Sequence, residues 1–198
     1  MVSRGDEFVF GQSLNDVARF LGIDEKFRPA LAPGELVSRL DRFILAAQRF
    51  QRQIPDSRQQ ETLPGRPRPL RTLAHHMYRI PAAFLETMRG AKMNEGAASG
   101  RPDASMTRFD DIARYGETVR LDLAGWWANL ADRSCTHRVE AYWGQPSAHE
   151  LLERTTWHIA QHCRQLMWFL NEQGTPPNGP LADSEFKGLP MPENIWDD

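Results

Sequence analysis

Apolar residues recur at every third or fourth position in four long stretches of the chain, which is the spacing of one buried face of an α-helix. These stretches cover residues 33–54, 70–89, 109–131 and 147–174. Loops rich in proline, glycine and polar residues separate them. Four long amphipathic helices bury their apolar faces most simply against one another. The pattern therefore predicts an all-α fold, built as a four-helix bundle over residues 33–174.

The two ends of the chain have shorter patterns. Residues 1–32 predict a lead-in with one short helix, because Ser13 is a typical N-cap residue and Gly22 a typical helix stop. Residues 175–198 predict an extended C-terminal tail that packs on the bundle. The tail carries five large apolar side chains: Phe186, Leu189, Met191, Ile195 and Trp196.

Two of the connections have a recognisable composition. Residues 91–106 are small and polar, which predicts a mobile loop. Residues 139–143, with the sequence VEAYW, predict a short strand or an extended segment within an otherwise irregular connection.

The fourth predicted helix carries two histidines within its apolar stripe. His158 and His162 are four positions apart, so their side chains lie one turn apart on the same face. Two imidazoles in this arrangement can share one metal ion. The alternative is a pair of core histidines that bond to hydroxyls and carbonyls, since this spacing also arises by chance in helices.

A third candidate ligand lies on the second predicted helix. His76 falls within the apolar stripe of that helix, whereas the neighbouring His75 is rotated by about 100° from it. His75 is the alternative ligand if the helix is turned. His137 lies in irregular sequence. His149 is on the same predicted helix as His158 but is rotated by half a turn around the helix axis from it.

The predicted metal ligands are therefore His76, His158 and His162. Three neutral imidazoles leave coordination positions open, as in catalytic rather than structural sites. Nitrogen ligands suit zinc, nickel, iron or copper, and the sequence does not choose among these metals.

Composition narrows the classes of partner and compartment. The net charge of −2 gives no electrostatic reason to expect nucleic acid or an anionic membrane as a partner. No apolar run approaches the roughly 18 residues of a membrane helix, and the N-terminus lacks the apolar core of a signal peptide.

Two cysteines do not suggest a disulfide framework, so a cytoplasmic protein is expected. Cys163 follows His162 directly but is rotated away from it, and it is interpreted as a buried apolar residue.

Several segments resemble the DinB-like metal-binding proteins, a family of four-helix bundles. Residues 155–166 (TTWHIAQHCRQL) are similar to the signature helix of the family, and residues 73–79 (LAHHMYR) resemble its second-helix segment, with His76 in the ligand place. The tail at residues 188–193 and the segment 10–18 resemble a subgroup in which a glutaredoxin-like piece precedes the bundle. The half of that piece with its Cys-x-x-Cys motif is absent.

The resemblance implies a function as well as a fold. Characterised relatives imply a divalent transition metal such as Zn, Ni or Fe on the three histidines, together with a low-molecular-weight thiol. They also imply a small-molecule substrate, an S-transferase or isomerase activity, and a homodimer. The alternative function is a non-catalytic metal-binding or dimerising helical bundle.

Polar residues close to the predicted ligands are candidates for substrate binding: Arg79, Tyr115, Arg154 and Gln165. Arg79 and Arg154 each lie about one turn from a predicted ligand and are candidates for binding a carboxylate of the thiol or the substrate. The alternative is that both arginines simply reach solvent.

Overall fold

A computed structural model describes residues 1–196 of the chain, so residues 197 and 198 of the predicted tail lie outside the described residues. The elements in chain order are strands β1 (Val2–Arg4) and β2 (Glu7–Val9), helices α1 (Leu14–Leu21) and α2 (Pro33–Gln53), a 3-10 helix (Asp56–Arg58), and helices α3 (Leu70–Met88), α4 (Phe109–Asn129), α5 (Ala148–Glu172) and α6 (Asp183–Phe186). The two strands pair as an antiparallel hairpin. The structure is predominantly helical, which confirms the coarse prediction of an all-α fold.

The four long helices pack around one hydrophobic core. Helices α2 and α3 each contact both α4 and α5. The largest side chains at the centre are fully buried, among them Phe43 and Phe50 of α2 and Phe84 of α3. Each such side chain stabilises the fold by about 1.5–3 kcal/mol relative to an exposed one. The apolar stripes read from the sequence are thus the surfaces that meet in the core.

Helix α5 begins where the sequence predicts a capping box. The Ser147 hydroxyl accepts a hydrogen bond from the Glu150 backbone N–H at 3.2 Å, and the Glu150 carboxylate accepts one from the Ser147 backbone N–H at 2.6 Å. Two N–H groups that a helix start leaves without partners are satisfied in this way. This cap fixes the start, and hence the register, of the helix that carries the histidine pair.

The Tyr78 ring of α3 packs directly against Gly116 of α4. A Cβ at this position would lie 2.5 Å from the Tyr78 ring, closer than any real contact allows. The buried Tyr78 hydroxyl donates to Gln51 Oε1 at 2.9 Å, and Gln51 in turn donates to the Ala74 carbonyl. The absence of a side chain at Gly116 therefore makes room for a buried tyrosine that is tied to α2.

The lead-in contacts the start of α5 and the connection before it. Asn15 and the backbone of Phe27 exchange two hydrogen bonds of 2.8 Å, and Gln12 donates to the Tyr142 hydroxyl at 2.9 Å. His149 of α5 pairs with the Leu31 carbonyl at 2.8 Å. Helix α1 has the predicted caps, with Ser13 at its start and Gly22 in a left-handed conformation at its end.

The tail contacts the outer side of α5. Arg164 donates to the carbonyls of Pro192 and Glu193, and Gln161 and Gln165 donate to the Ile195 carbonyl. Residues 139–143 form isolated bridges, one of them between Met93 and Ala141, rather than a regular strand. Among the described residues, no helix combines the length and the apolar character that crossing a membrane requires.

Candidate metal centre

Three histidines from two helices converge at one point between α3 and α5. His76 lies on α3, and His158 and His162 lie one turn apart on α5. One nitrogen from each ring can be chosen so that the three atoms all lie within 4.8 Å of one another. His76 is 5% exposed, and the other two rings are half-buried. The three residues that the sequence predicts as ligands are therefore brought together.

Hydrogen bonds orient two of the three rings. Nδ1 of His76 donates to the Ala98 carbonyl, and Nδ1 of His162 donates to the Gln165 side-chain oxygen at 2.8 Å. Because both acceptors are oxygens without a proton, each Nδ1 carries the hydrogen and each Nε2 keeps its lone pair. Metal-binding histidines commonly donate their second ring N–H in this way.

The third ring, that of His158, has a buried polar atom of a different kind. Within the described part of the chain, Nδ1 of His158 is buried and has no hydrogen-bond partner. The Trp157 ring stacks on this imidazole, with 5.6 Å between the ring centroids. A buried polar atom without a partner costs about 1–3 kcal/mol. An ion held by the three rings would give His158 a polar partner, so the donor set fits a transition metal.

Burial keeps two of the three histidines, His76 and His158, in the neutral form that binds metals. Desolvation lowers the pKa of His76 to about 3, and the charges of His162 and Arg68 act in the same direction. Desolvation also holds the pKa of His158 well below its ordinary value, helped by the charges of His162 and Arg154. His76 and His158 are consequently neutral at pH 7, with lone pairs available.

His75, the alternative ligand, is buried but points elsewhere. Its Nδ1 pairs with the Gly100 carbonyl at 2.9 Å, and its ring stacks on Tyr115 with 5.2 Å between centroids. It is not a member of the cluster of possible ligands among the described residues. Cys163 is fully buried and donates to the Phe43 carbonyl, as expected of a residue that packs in the core.

The loop at residues 91–106 supplies backbone acceptors to helix α3. The carbonyls of Ala97, Ala98 and Gly100 accept hydrogen bonds from Arg79, His76 and His75 respectively. The sequence predicts this segment only as a mobile loop. Its role in orienting His76 was missed, because a backbone carbonyl has no sequence signature.

Three of the four predicted substrate-binding residues are engaged by the protein itself. Arg79 forms an ion pair with Glu86 at 2.7 Å and donates to the Ala97 carbonyl. Tyr115 stacks on His75. Gln165 orients His162 and donates to the Ile195 carbonyl. These contacts give the three residues roles in shaping the site.

Arg154 is the candidate that keeps donors available. Its Nε is buried and has no hydrogen-bond partner among the described residues, and its guanidinium lies over the Trp143 ring at 4.9 Å from the centroid. Arg68, which sequence reasoning missed, places a second positive charge near the site, since its charge acts on both His76 and His158. The only signal for Arg68 in the sequence is its place between two prolines just before α3.

A groove of about 1000 Å³ lies beside the centre, between the lead-in and the first half of α5. Arg154, Trp143 and Trp157 line it, but the three histidines are not among its described lining residues. Arg154 and the Trp157–His158 stack are therefore the points at which the groove meets the histidine cluster.

No family model matches the chain, and no curated protein is significantly similar to it.

Proposed function

We propose that this protein binds a divalent transition metal such as Zn, Ni or Fe through His76, His158 and His162, and that it acts as a DinB-like thiol S-transferase or isomerase. The observation that carries the metal site is the convergence of three imidazole nitrogens to within 4.8 Å of one another. The neutral state of His76 and His158 and the buried Nδ1 of His158 support it further. The four long helices and the motif residues support the family.

The residues around the site have separate tasks in this proposal. A metal held by three histidines would lower the pKa of a bound thiol below its free value of about 8.5, which supplies a nucleophile at neutral pH. Ala98 and Gln165 hold two of the ligand rings in the tautomer that binds a metal. Trp157 covers one face of His158 and limits the access of water.

The first experiment measures metal content in protein purified without a histidine tag. We expect close to one equivalent of transition metal per chain by elemental analysis. His76→Ala, His158→Ala and His162→Ala should each reduce this content strongly, because two imidazoles hold a divalent ion far less tightly than three. His137→Ala is the matched control, since His137 is exposed. Equal metal content in all four variants would refute the site.

A second experiment separates the enzyme from a non-catalytic metal protein. The protein is loaded with Co²⁺, whose absorption spectrum reports its ligands, and is titrated with a small thiol. A thiolate-to-metal band, together with turnover of a generic electrophile, supports the transferase. A metal-loaded protein with neither property supports the non-catalytic alternative.

One observation supports a dimerising helical bundle, which is part of the alternative function. Phe8, Leu14, Leu21 and Ile23 of the lead-in are large apolar side chains that are about half exposed or more. Exposed apolar residues grouped in one segment are typical of a surface that contacts a partner. Analytical ultracentrifugation tests for such a dimer. A wild-type dimer that Leu21→Ser dissociates would support an interface on the lead-in, whereas a monomeric wild-type protein would contradict it.

A further inference from the structure

We propose that Arg154 forms a subsite for the carboxylate of a small organic acid, in the groove beside the three histidines. The inference deepens the proposed function by naming the chemical class of the ligand. Binding of the carboxylate itself does not require the metal, so the two proposals can fail separately.

The first observation is the state of the Arg154 side chain. It is half-buried, and its Nε is buried without a hydrogen-bond partner among the described residues. A buried guanidinium N–H without an acceptor is costly, and the planar fork of arginine matches a carboxylate in two parallel hydrogen bonds. The Trp143 ring beneath the guanidinium holds it in place, at 4.9 Å from its centroid.

The second observation is the balance of charge. None of the described carboxylates forms an ion pair with Arg154. Two other arginines that line the groove do have acid partners: Arg19 pairs with Asp16 at 3.0 Å, and Arg138 pairs with Glu150 at 3.3 Å. Glu150 is further engaged by the Ser147 cap. Arg68 adds another positive charge at the histidines. Asp24, Glu25 and Glu153 also line the groove, but none of them forms an ion pair with Arg154. The guanidinium of Arg154 therefore keeps a positive charge that no described carboxylate pairs with, and a bound metal would add positive charge nearby.

The third observation is the shape of the space in front of Arg154. The groove of about 1000 Å³ is large enough for a small organic molecule, and Phe27, Trp157 and Leu189 give it apolar walls. Trp157 also stacks on His158. A ligand whose carboxylate binds Arg154 would thus lay its apolar body along Trp157, towards the metal centre.

Arg79, the other arginine expected to bind a carboxylate, does not share these properties. Its guanidinium is occupied by Glu86 and by the Ala97 carbonyl. The structure therefore favours Arg154 over Arg79 as the anion-binding residue.

The test uses benzoate as the carboxylate probe and benzamide as its uncharged analogue, and ligand-observed NMR measures their affinity for the metal-free and the zinc-loaded protein. We expect benzoate to bind the wild-type protein about tenfold or more tightly than benzamide, because charge-assisted hydrogen bonds are worth about 1.5–3 kcal/mol. Arg154→Met should remove this preference. Arg154→Lys should keep only part of it, since lysine lacks the bidentate fork.

Arg138→Met is the matched control, because Arg138 lines the same groove but already has an acid partner. It should change benzoate affinity by no more than about twofold. Melting curves by circular dichroism confirm that each variant is folded. The comparison of benzoate with benzamide on the wild-type protein stands even if Arg154→Met does not fold.

The inference is overturned if benzoate does not bind, if benzamide binds equally well, or if a folded Arg154→Met keeps the preference. A protein that binds no metal but retains Arg154-dependent benzoate binding would refute the proposed metal function alone. A protein that binds metal but not benzoate would refute the subsite alone.

Discussion

Gln165 connects two parts of the structure through one side-chain amide. Its oxygen accepts the Nδ1 hydrogen of His162, and its nitrogen donates to the Ile195 carbonyl of the tail. The sequence places Gln165 near the site as a candidate for substrate binding, which stays a prediction. Its contacts show that it orients the His162 ring and holds it in one tautomer.

We expect Gln165→Leu to weaken metal binding by about 10–100-fold, the usual cost of losing a partner that orients a ligand. A chelator competition with zinc measures the affinity. Gln161→Leu is the control, because Gln161 also donates to the Ile195 carbonyl and forms no hydrogen bond with His162 among those described. Equal losses in the two variants would mean that the tail, and not the orientation of His162, sets the affinity.

At the residue scale, the convergence of the three histidines could be predicted and their surroundings could not. His76, His158 and His162 fall on apolar stripes, and stripes are visible in a sequence because burial selects for them. The acceptor of His76 is a backbone carbonyl of residue 98, which any amino acid could supply. Arg154 could be placed near the site by helical spacing. Whether its guanidinium N–H groups find acceptors depends on the position of Trp143 and on a groove formed by segments that are distant in the sequence, which helical spacing does not predict.

At the scale of elements, the packing of the Tyr78 ring against α4 depends on the glycine at position 116. Helix α4 contains a second glycine, Gly125, which differs only in its surroundings: a Cβ there would meet nothing within 4 Å. The two positions thus separate the effect of close packing from the general effect of glycine in a helix.

Gly116→Ala should destabilise the protein by about 1–3 kcal/mol, because the new methyl group would overlap the Tyr78 ring and force it to move. Gly125→Ala should instead be neutral or stabilising, by up to about 1 kcal/mol, since alanine favours the helix. Urea denaturation of the two variants measures both values. A Gly116→Ala variant as stable as the wild-type protein would show that the Tyr78 ring can move aside without cost.

The sequence predicts the types and boundaries of the helices correctly where the capping residues and the apolar periodicity agree. Helix α5 begins at its capping box, and α1 lies between the predicted Ser13 and Gly22. The segment 139–143 has β-forming residues but forms only isolated bridges, because no neighbouring strand is available among the described residues to pair with it.

At the scale of the whole molecule, the core is complete without a metal. Residues from all four long helices fill it. Metal-free protein is therefore expected to stay folded, and added metal should raise the melting temperature because it binds only the folded state.

The metal-free protein should lose stability as the pH falls from about 6.5 towards 4. The folded state holds the pKa of His76 at about 3 and that of His158 well below its ordinary value. Below pH 6.5 the unfolded chain therefore binds more protons than the folded one. Each histidine contributes up to about 1.4 kcal/mol per pH unit to this loss.

Urea denaturation at several pH values measures how the free energy of unfolding of the metal-free protein depends on pH. His158→Gln should reduce the slope between pH 6.5 and 4, while His137→Gln, at an exposed position, should leave it unchanged. An unchanged slope in His158→Gln would mean that this imidazole is not buried in its neutral form.

The shared amide of Gln165 has a practical consequence for the segment around Ile195. The Ile195 carbonyl is one hydrogen bond away from the side chain that holds His162. A substitution or a proteolytic cut that displaces this segment would therefore reach the imidazole through two contacts.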